Sequence, residues 1–244
     1  MKNIIDINCD LGEGIGNEAE IMPFISSCNL ACGGHAGDGS TIDQVVALAK
    51  HNNVRVGAHP SFPDKANFGR KPMVMSKEDL YVTLRQQILL VMNCCAIHDL
   101  KMHHVKPHGA LYNLCSVDEN LASVVIDVML NTCPGVALYA PPGSEIARLA
   151  KGKIVVLFEG FADRNYNGDL TLVSRQENDA LLTRKEDVLD HVLTMVKEQK
   201  IRVRSGEKID ANIDTICIHG DTKNAVEIAS FLYENLTKKG INIK

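Results

Sequence analysis

The sequence predicts a parallel α/β barrel of seven strands, and three observations carry that expectation. Seven apolar runs, each four to six residues long, recur along the chain. Amphipathic helical stretches separate them, and strand–helix alternation repeated this often marks a parallel α/β fold. Six of the seven runs end in titratable residues set among Gly, Pro and Asn. An open doubly wound sheet gathers its ligand groups at one switch point fed by two or three strands. A closed barrel turns every strand–helix loop toward one mouth, which suits tips of this kind.

The runs lie at 4–9, 28–32, 54–58, 103–106, 136–140, 154–158 and 215–218. All are too short for buried helices and none alternates strictly, as expected of strands covered on both faces. The stretch 40–52 opens at Ser40 as an N-cap, with Ile42, Val45, Val46 and Ala49 at i, i+3, i+4 and i+7. The stretch 76–99 begins Ser76-Lys77-Glu78-Asp79, a start like a capping box, and runs through Leu80, Leu84, Ile88 and Val91. Further helical patterns cover 117–132, 143–151, 185–199 and 222–239. Two polar segments, 160–184 and 202–213, read as excursions from the barrel, the second as a small hairpin. No linker composition divides the chain, so residues 1–244 read as a single barrel domain, a size usual for that fold.

Composition narrows the functional classes. Hydrophobic residues make up 45% and charged residues 23%, which excludes disorder, collagen and coiled coil for the whole chain. There are 26 basic and 30 acidic residues, for a net charge of −4, and no long block of one sign. Binding of nucleic acid or an anionic membrane through a basic face therefore has no support. The first residues lack the apolar core of a signal peptide, and no run of ~18 apolar residues occurs. The expectation is a soluble, cytoplasmic protein. Eight cysteines fall short of disulfide-scaffold density and lack zinc-ribbon spacing, so they read as free, buried thiols.

The strand tips hold the chemistry. After the first run, Asp10 and Glu13 lie among Gly12 and Gly14, as an acid/base pair or a hard-metal site, with capping of the turn as the structural alternative for Asp10. His35 and Asp38 follow the second run, as a base with its orienting carboxylate or as metal ligands. Cys32, three residues before His35, is a lesser candidate nucleophile. His59 follows the third between stiffening prolines, with Arg70 further on as a carboxylate or phosphate clamp or a solvated arginine. The fourth supplies Lys106 and His108. A lysine in an apolar strand needs a partner if it is buried, the alternative being a side chain that reaches the rim. Glu159 ends the sixth, followed by Asp163 and Arg164, which read as functional groups or a structural ion pair. His219 and Asp221 end the seventh. Four histidines, His35, His59, His108 and His219, thus end strands beside small residues or proline, and one shared site is the expectation. The phosphate loop G-x4-G-K-[ST], the dinucleotide G-x-G-x-x-G after a strand, H-E-x-x-H and G-x-S-x-G are all absent from the sequence.

Six stretches taken together resemble the LamB/YcsF family: DINCDLGEGIG (6–16), NLACGGHAGD (29–38), VGAHPSFPD (56–64) with FGR (68–70), VKPHGALYN (105–113), FADRNY (161–166) and ICIHGD (216–221). They keep the family's order across nearly the whole chain. The departures are Gly34, where the family usually has an aromatic residue, and Gly39, where proline is usual. The resemblance implies a seven-stranded (β/α) barrel of the glycoside hydrolase and polysaccharide deacetylase type. It also implies cleavage of 5-oxo-L-proline to L-glutamate with hydrolysis of ATP as co-substrate, carried out with the 5-oxoprolinase subunits B and C. The site residues, Asp10, Glu13, His35, Asp38, His59, Lys106, His108, Glu159, Arg164, His219 and Asp221, rest on the tips rather than on the family. Two alternatives stand beside this reading. One is a deacetylase-like hydrolase using a divalent metal on Asp10, His35, His59 and His108; the other is a non-catalytic subunit that binds or delivers substrate.

Overall fold

A computed structural model describes residues 3–244. Seven parallel strands close into a barrel: β1 (Ile4–Leu11), β2 (Ser27–Ala31), β3 (Arg55–His59), β4 (His104–Val105), β5 (Ala137–Ala140), β6 (Val156–Phe161) and β9 (Thr215–His219). β1 pairs with both β2 and β9, so that Asp10 lies beside Asn29 on one flank and His219 on the other. The predicted hairpin forms from β7 (Lys200–Arg202) and β8 (Lys208–Asp210), and a short β10 (Asn242–Ile243) adds to the start of β1.

The helices are α1 (Glu18–Ile21), α2 (Gly39–Asn52), α3 (Lys77–Ile97), α4 (Gly109–Cys115), α5 (Glu119–Thr132), α6 (Glu145–Ala150), α7 (Lys185–Leu193) and α8 (Ala225–Lys238). Ser76 caps α3 by accepting from the Asp79 amide, as predicted. Correction falls on α2, whose cap is Asp38 rather than Ser40. The Asp38 carboxylate accepts from the Thr41 amide at 2.8 Å, and its extended backbone is the conformation a cap requires. The predicted stretch 117–132 begins two residues later, at Glu119, and α4 before it was not predicted. The stretch 185–199 is α7 followed by a π-turn at Thr194–Glu198. α3 alone among the described helices has the length and composition to cross a membrane. Its Leu80, Leu84, Ile88, Val91 and Cys95 are buried against the barrel layer.

Alternation inside the strands, stricter than the sequence reading allowed, organises the molecule. Ile5, Ile7 and Cys9 join the apolar layer under the helices, as do Cys28, Leu30, Ile216 and Ile218. The residues between them fill the barrel with polar groups in layers. At the base, Asp6 accepts from Ser27, Thr215 and, at 3.2 Å, the Tyr139 hydroxyl. Above it Asn8 donates to Glu159 at 2.9 Å and Asn29 donates to Asn8 at 2.6 Å. His104 Nε2 lies 2.6 Å from Asn29 Oδ1. His104 needs Gly57 across from it, since a Cβ there would come within 2.2 Å of its Nε2. Buried polar groups are tolerated when each finds a partner, and this ladder carries them up to the mouth. All eight cysteines are free and buried.

Candidate active site at the barrel mouth

The top layer is built by strand ends and the loops just after them. Asp10 ends its polar run two residues beyond Asn8, on the same face of β1. Its Oδ1 accepts from Lys106 Nζ at 2.9 Å and from Asn29 Nδ2 at 2.7 Å, and its Oδ2 lies 3.4 Å from His59 Nε2. Lys106 sits just past β4, 1% exposed. Its ammonium also reaches Glu159 Oε1 at 3.1 Å and Cys217 Sγ at 3.0 Å, and faces the Phe161 ring at 5.2 Å. Burial pushes the Asp10 carboxyl up, yet the facing His59 and Lys106 outweigh it and hold the group well below the usual carboxylate range. Burial likewise pulls the Lys106 ammonium down, and Asp10, foremost among its partners, lifts it well above an ordinary lysine. Both groups are charged at neutral pH.

Glu13 reaches over from the first loop. Its Oε1 lies 2.9 Å from His35 Nε2, 3.5 Å from His108 Nδ1 and 3.9 Å from His59 Nε2. The His35 and His108 rings stack at 3.6 Å, with Phe68 edge-on to both. Burial drives the His35 imidazole down, and burial with the neighbouring His59 and His35 drives His108 well down.

His219 stands on the far side of Asp10. Its Nδ1 lies 2.9 Å from Asp163 Oδ1, and its ring lies over Phe161. Asp163, fully buried, also accepts from the His219 amide and the Thr222 hydroxyl. Burial raises the Asp163 carboxyl, but the His219 charge and these hydrogen bonds bring it down to about 2. The carboxylate therefore fixes the His219 tautomer with hydrogen on Nδ1 and the lone pair on Nε2, the arrangement of a positioned general base.

The four strand-end histidines thus share one end of the barrel with Asp10, Glu13, Lys106 and Glu159. Three expected residues stand apart. Asp38 caps α2. Asp221 lies at the rim in an ion pair with Arg70, joining the loops after β3 and β9. Arg164 turns away: its guanidinium donates to the Val173 carbonyl at 2.6 Å and the Ala180 carbonyl at 3.4 Å, tying down the 160–184 excursion. Burial lowers it to about 10. Cys32 is no activated nucleophile, because burial raises its thiol and its nearest polar partner is Gln87 Oε1 at 3.7 Å. A surface cavity of about 290 Å³ lies elsewhere, between the excursion and the β7–β8 hairpin, lined by Asn165, His191 and Arg202. The mouth, with its convergent buried titratable groups, is the better site.

Residues 5–244 match the LamB/YcsF family. The chain belongs to that family. It is 42% identical over 247 residues to a Natranaerobius thermophilus protein named as the A subunit of 5-oxoprolinase, covering 99% of this chain and 96% of the relative. It is 41% identical over 246 residues to the protein of the same name from Staphylococcus aureus strain bovine RF122, covering 98% of each. The crystal structure of a lactam utilization protein from Thermus thermophilus superposes with a TM-score of 0.92 at 36% identity, covering 100% of this chain and 99% of that one.

Within the LamB/YcsF pattern, the structure explains one departure. At Gly34, where the family usually has an aromatic residue, a Cβ would meet Gln87 Oε1 and Ser61 Oγ at 2.4 Å. Gln87 fills that room and pairs with the Ser61 backbone through both ends of its amide. The sequence reading overlooked Asn8, Asn29 and His104, which underpin the site. For two of them the signal was present, since Asn8 lies two residues before Asp10 and His104 two before Lys106. Asp163 was read with Arg164 as a functional group or as its ion-pair partner, and register delivers it to His219.

Proposed function

We propose that this chain is the A subunit of an ATP-dependent 5-oxoprolinase, opening 5-oxo-L-proline to L-glutamate with two partner subunits, B and C. The observation that carries the reading is the buried acid–imidazole–lysine constellation at the mouth. It occurs in a chain similar along its length to proteins named for the 5-oxoprolinase A subunit or for lactam utilization.

The chemistry explains the use of ATP. A five-membered lactam is an unactivated amide, and the balanced reaction is 5-oxoproline, ATP and two waters to glutamate, ADP and phosphate. Phosphorylation of the lactam oxygen makes the ring carbon electrophilic. One water adds there and the C–N bond breaks, with the nitrogen taking a proton. The second water releases the phosphate. In this reading nucleotide handling falls wholly or partly to the partners, a division in keeping with a sequence without the phosphate loop. His219, oriented by Asp163, takes the proton of the attacking water, and Lys106 opposes the negative charge that develops on the carbon's oxygens. Asp10 stays ionised, holds Lys106 in place and faces His59. Arg164, expected to share the role of Lys106, has no part in this reading, its guanidinium being held by the Val173 and Ala180 carbonyls. The segment 68–70 covers the cluster, and the Arg70–Asp221 pair ties it across the rim.

Asp10→Asn, His108→Ala and His219→Gln, each assayed for glutamate formation in the assembled complex, should lose at least ~100-fold in turnover. Near-normal rates in all three would reject the site. A metal-dependent hydrolase is the second reading, favoured by the donor set of Glu13, His35, His59 and His108.

A further inference from the structure

Glu13, His35, His59 and His108 each offer one donor atom, and these atoms all lie within 4.8 Å of one another. The side chains of all four are nearly sealed from solvent, at 4%, 0%, 1% and 6% exposed. Hydrogen bonds at the back of two rings fix what the front presents. His59 Nδ1 lies 2.7 Å from the Lys106 carbonyl, and His108 Nε2 lies 2.9 Å from the Phe68 carbonyl. A carbonyl oxygen only accepts, so those nitrogens carry the hydrogens. In neutral rings the opposite nitrogens, His59 Nε2 and His108 Nδ1, are the lone-pair ends, and they face each other at 2.9 Å. Two such nitrogens are held at that distance by a shared proton or by a metal cation, and with the donor atoms of Glu13 and His35 beside them a cation engages all four.

Glu13 makes the same demand. Its carboxylate is buried, and among the described residues its ion-pair partners are these three imidazoles. Lys106, the nearby ammonium, is taken up by Asp10 and Glu159. A buried carboxylate without a cation is costly.

We propose that Glu13, His35, His59 and His108 bind one divalent transition-metal cation, of which zinc best suits three imidazole nitrogens and one carboxylate oxygen. The separations of 2.9, 3.5 and 3.9 Å from Glu13 Oε1 to the ring nitrogens bracket the ~3.3–3.6 Å edges of a tetrahedron with metal–ligand bonds of ~2.0–2.2 Å, so shifts of a few tenths of an ångström bring the donors around one cation. The backbone carbonyls of Lys106 and Phe68 act as the outer partners that hold ligand histidines in one tautomer. The cation joins the loops after β1, β2, β3 and β4 at one point. Its presence is independent of the lactam reading, because the argument uses no substrate.

The test is metal analysis of the full chain purified without chelator or affinity metal, followed by titration of stripped protein with Zn²⁺ alone. About one bound transition metal per chain is expected. His59→Ala and His108→Ala should each weaken Zn²⁺ binding by more than the ~10–100-fold that an outer partner is worth. His98→Ala, in the separate group Asp43, Cys94 and His98, should leave binding at the barrel mouth unchanged. Cobalt substitution gives a readout free of activity, since its visible absorption should report nitrogen and oxygen ligands and vanish in His59→Ala. Protein free of metal with no binding tighter than ~100 µM overturns the proposal, as does binding that survives both ligand substitutions. If those variants fail to fold, the wild-type stoichiometry and the cobalt spectrum decide alone.

Discussion

Replacing Lys106 with methionine keeps the apolar stem and deletes the ammonium. The wild-type cation lies 2.9 Å from Asp10 Oδ1 and 3.1 Å from Glu159 Oε1, with all three side chains at most 5% exposed. The variant leaves both carboxylates without it. Breaking a buried ion pair by removing one partner costs about 3–5 kcal/mol, against a total stability of about 5–15 kcal/mol for an ordinary domain. With a urea slope of about 3 kcal/mol per molar, the unfolding midpoint should fall by about 1–2 M. The loss must shrink in acid. Asp10 is held below its ordinary value, so its contribution is present above ~3.9 and fades as pH falls through the lower folded value. Lys106 is raised, so its contribution is complete below ~10.4 and is lost only as pH rises through its folded value. The variant frees Asp10 to protonate sooner, so the gap to wild type should narrow between about pH 7 and about pH 4. Adding Asp10→Asn should recover ~0.5–3 kcal/mol as coupling energy. A midpoint shift under ~0.3 M, equal at both pH values, would refute the claim that this cation holds the top layer together.

Other outcomes follow from the same geometry. Asp163→Asn should cut turnover by at least ~100-fold and displace the acidic limb of the pH–rate profile, since it acts by orienting His219; an unmoved profile contradicts that role. The Asp163 carboxyl at about 2 contributes roughly 2 kcal/mol of stability above ~pH 4, lost as pH falls through about 2. His191 is buried, and burial, helped by Arg202, lowers it to about 4. Its contribution is therefore present above ~6.5 and lost as pH falls from there through about 4. Chemical denaturation of His191→Phe should show an acid loss over that range smaller by up to roughly 3 kcal/mol, and an unchanged loss tells against it. Gly57→Ala should lower stability by about 1–3 kcal/mol through its clash with His104, and His104→Ala in the same chain should relieve part of that, as read by thermal unfolding.

Much of the frame was legible in the sequence. Short apolar runs between amphipathic helices identified the barrel, and Gly- or Pro-flanked histidines identified its mouth. What the sequence concealed is a matter of register. Asp6, Asn8 and Asp10 alternate with Ile5, Ile7 and Cys9, but the alternation does not say that the polar face, rather than the apolar one, lines the interior. That face becomes visible only when Asn8 meets Glu159, Asn29 meets His104 and Lys106 meets Asp10 across the barrel. Asp38 illustrates a second ambiguity, since an aspartate after a glycine serves equally as a cap or a ligand, and the Thr41 amide decides it. Adjacent residues mislead in a third way. Asp163 and Arg164 read as a pair, yet one points to His219 and the other to loop carbonyls. The helix Gly109–Cys115 was hidden because Pro107 and Gly109 read as the end of a strand tip rather than the start of a helix.

The most direct test of the proposed function is glutamate formation from 5-oxo-L-proline and ATP by this chain combined with 5-oxoprolinase subunits B and C, each component left out in turn. Glutamate should form with all three present and fall to background when this chain is withheld or carries Asp10→Asn. An undiminished rate without it would contradict the account.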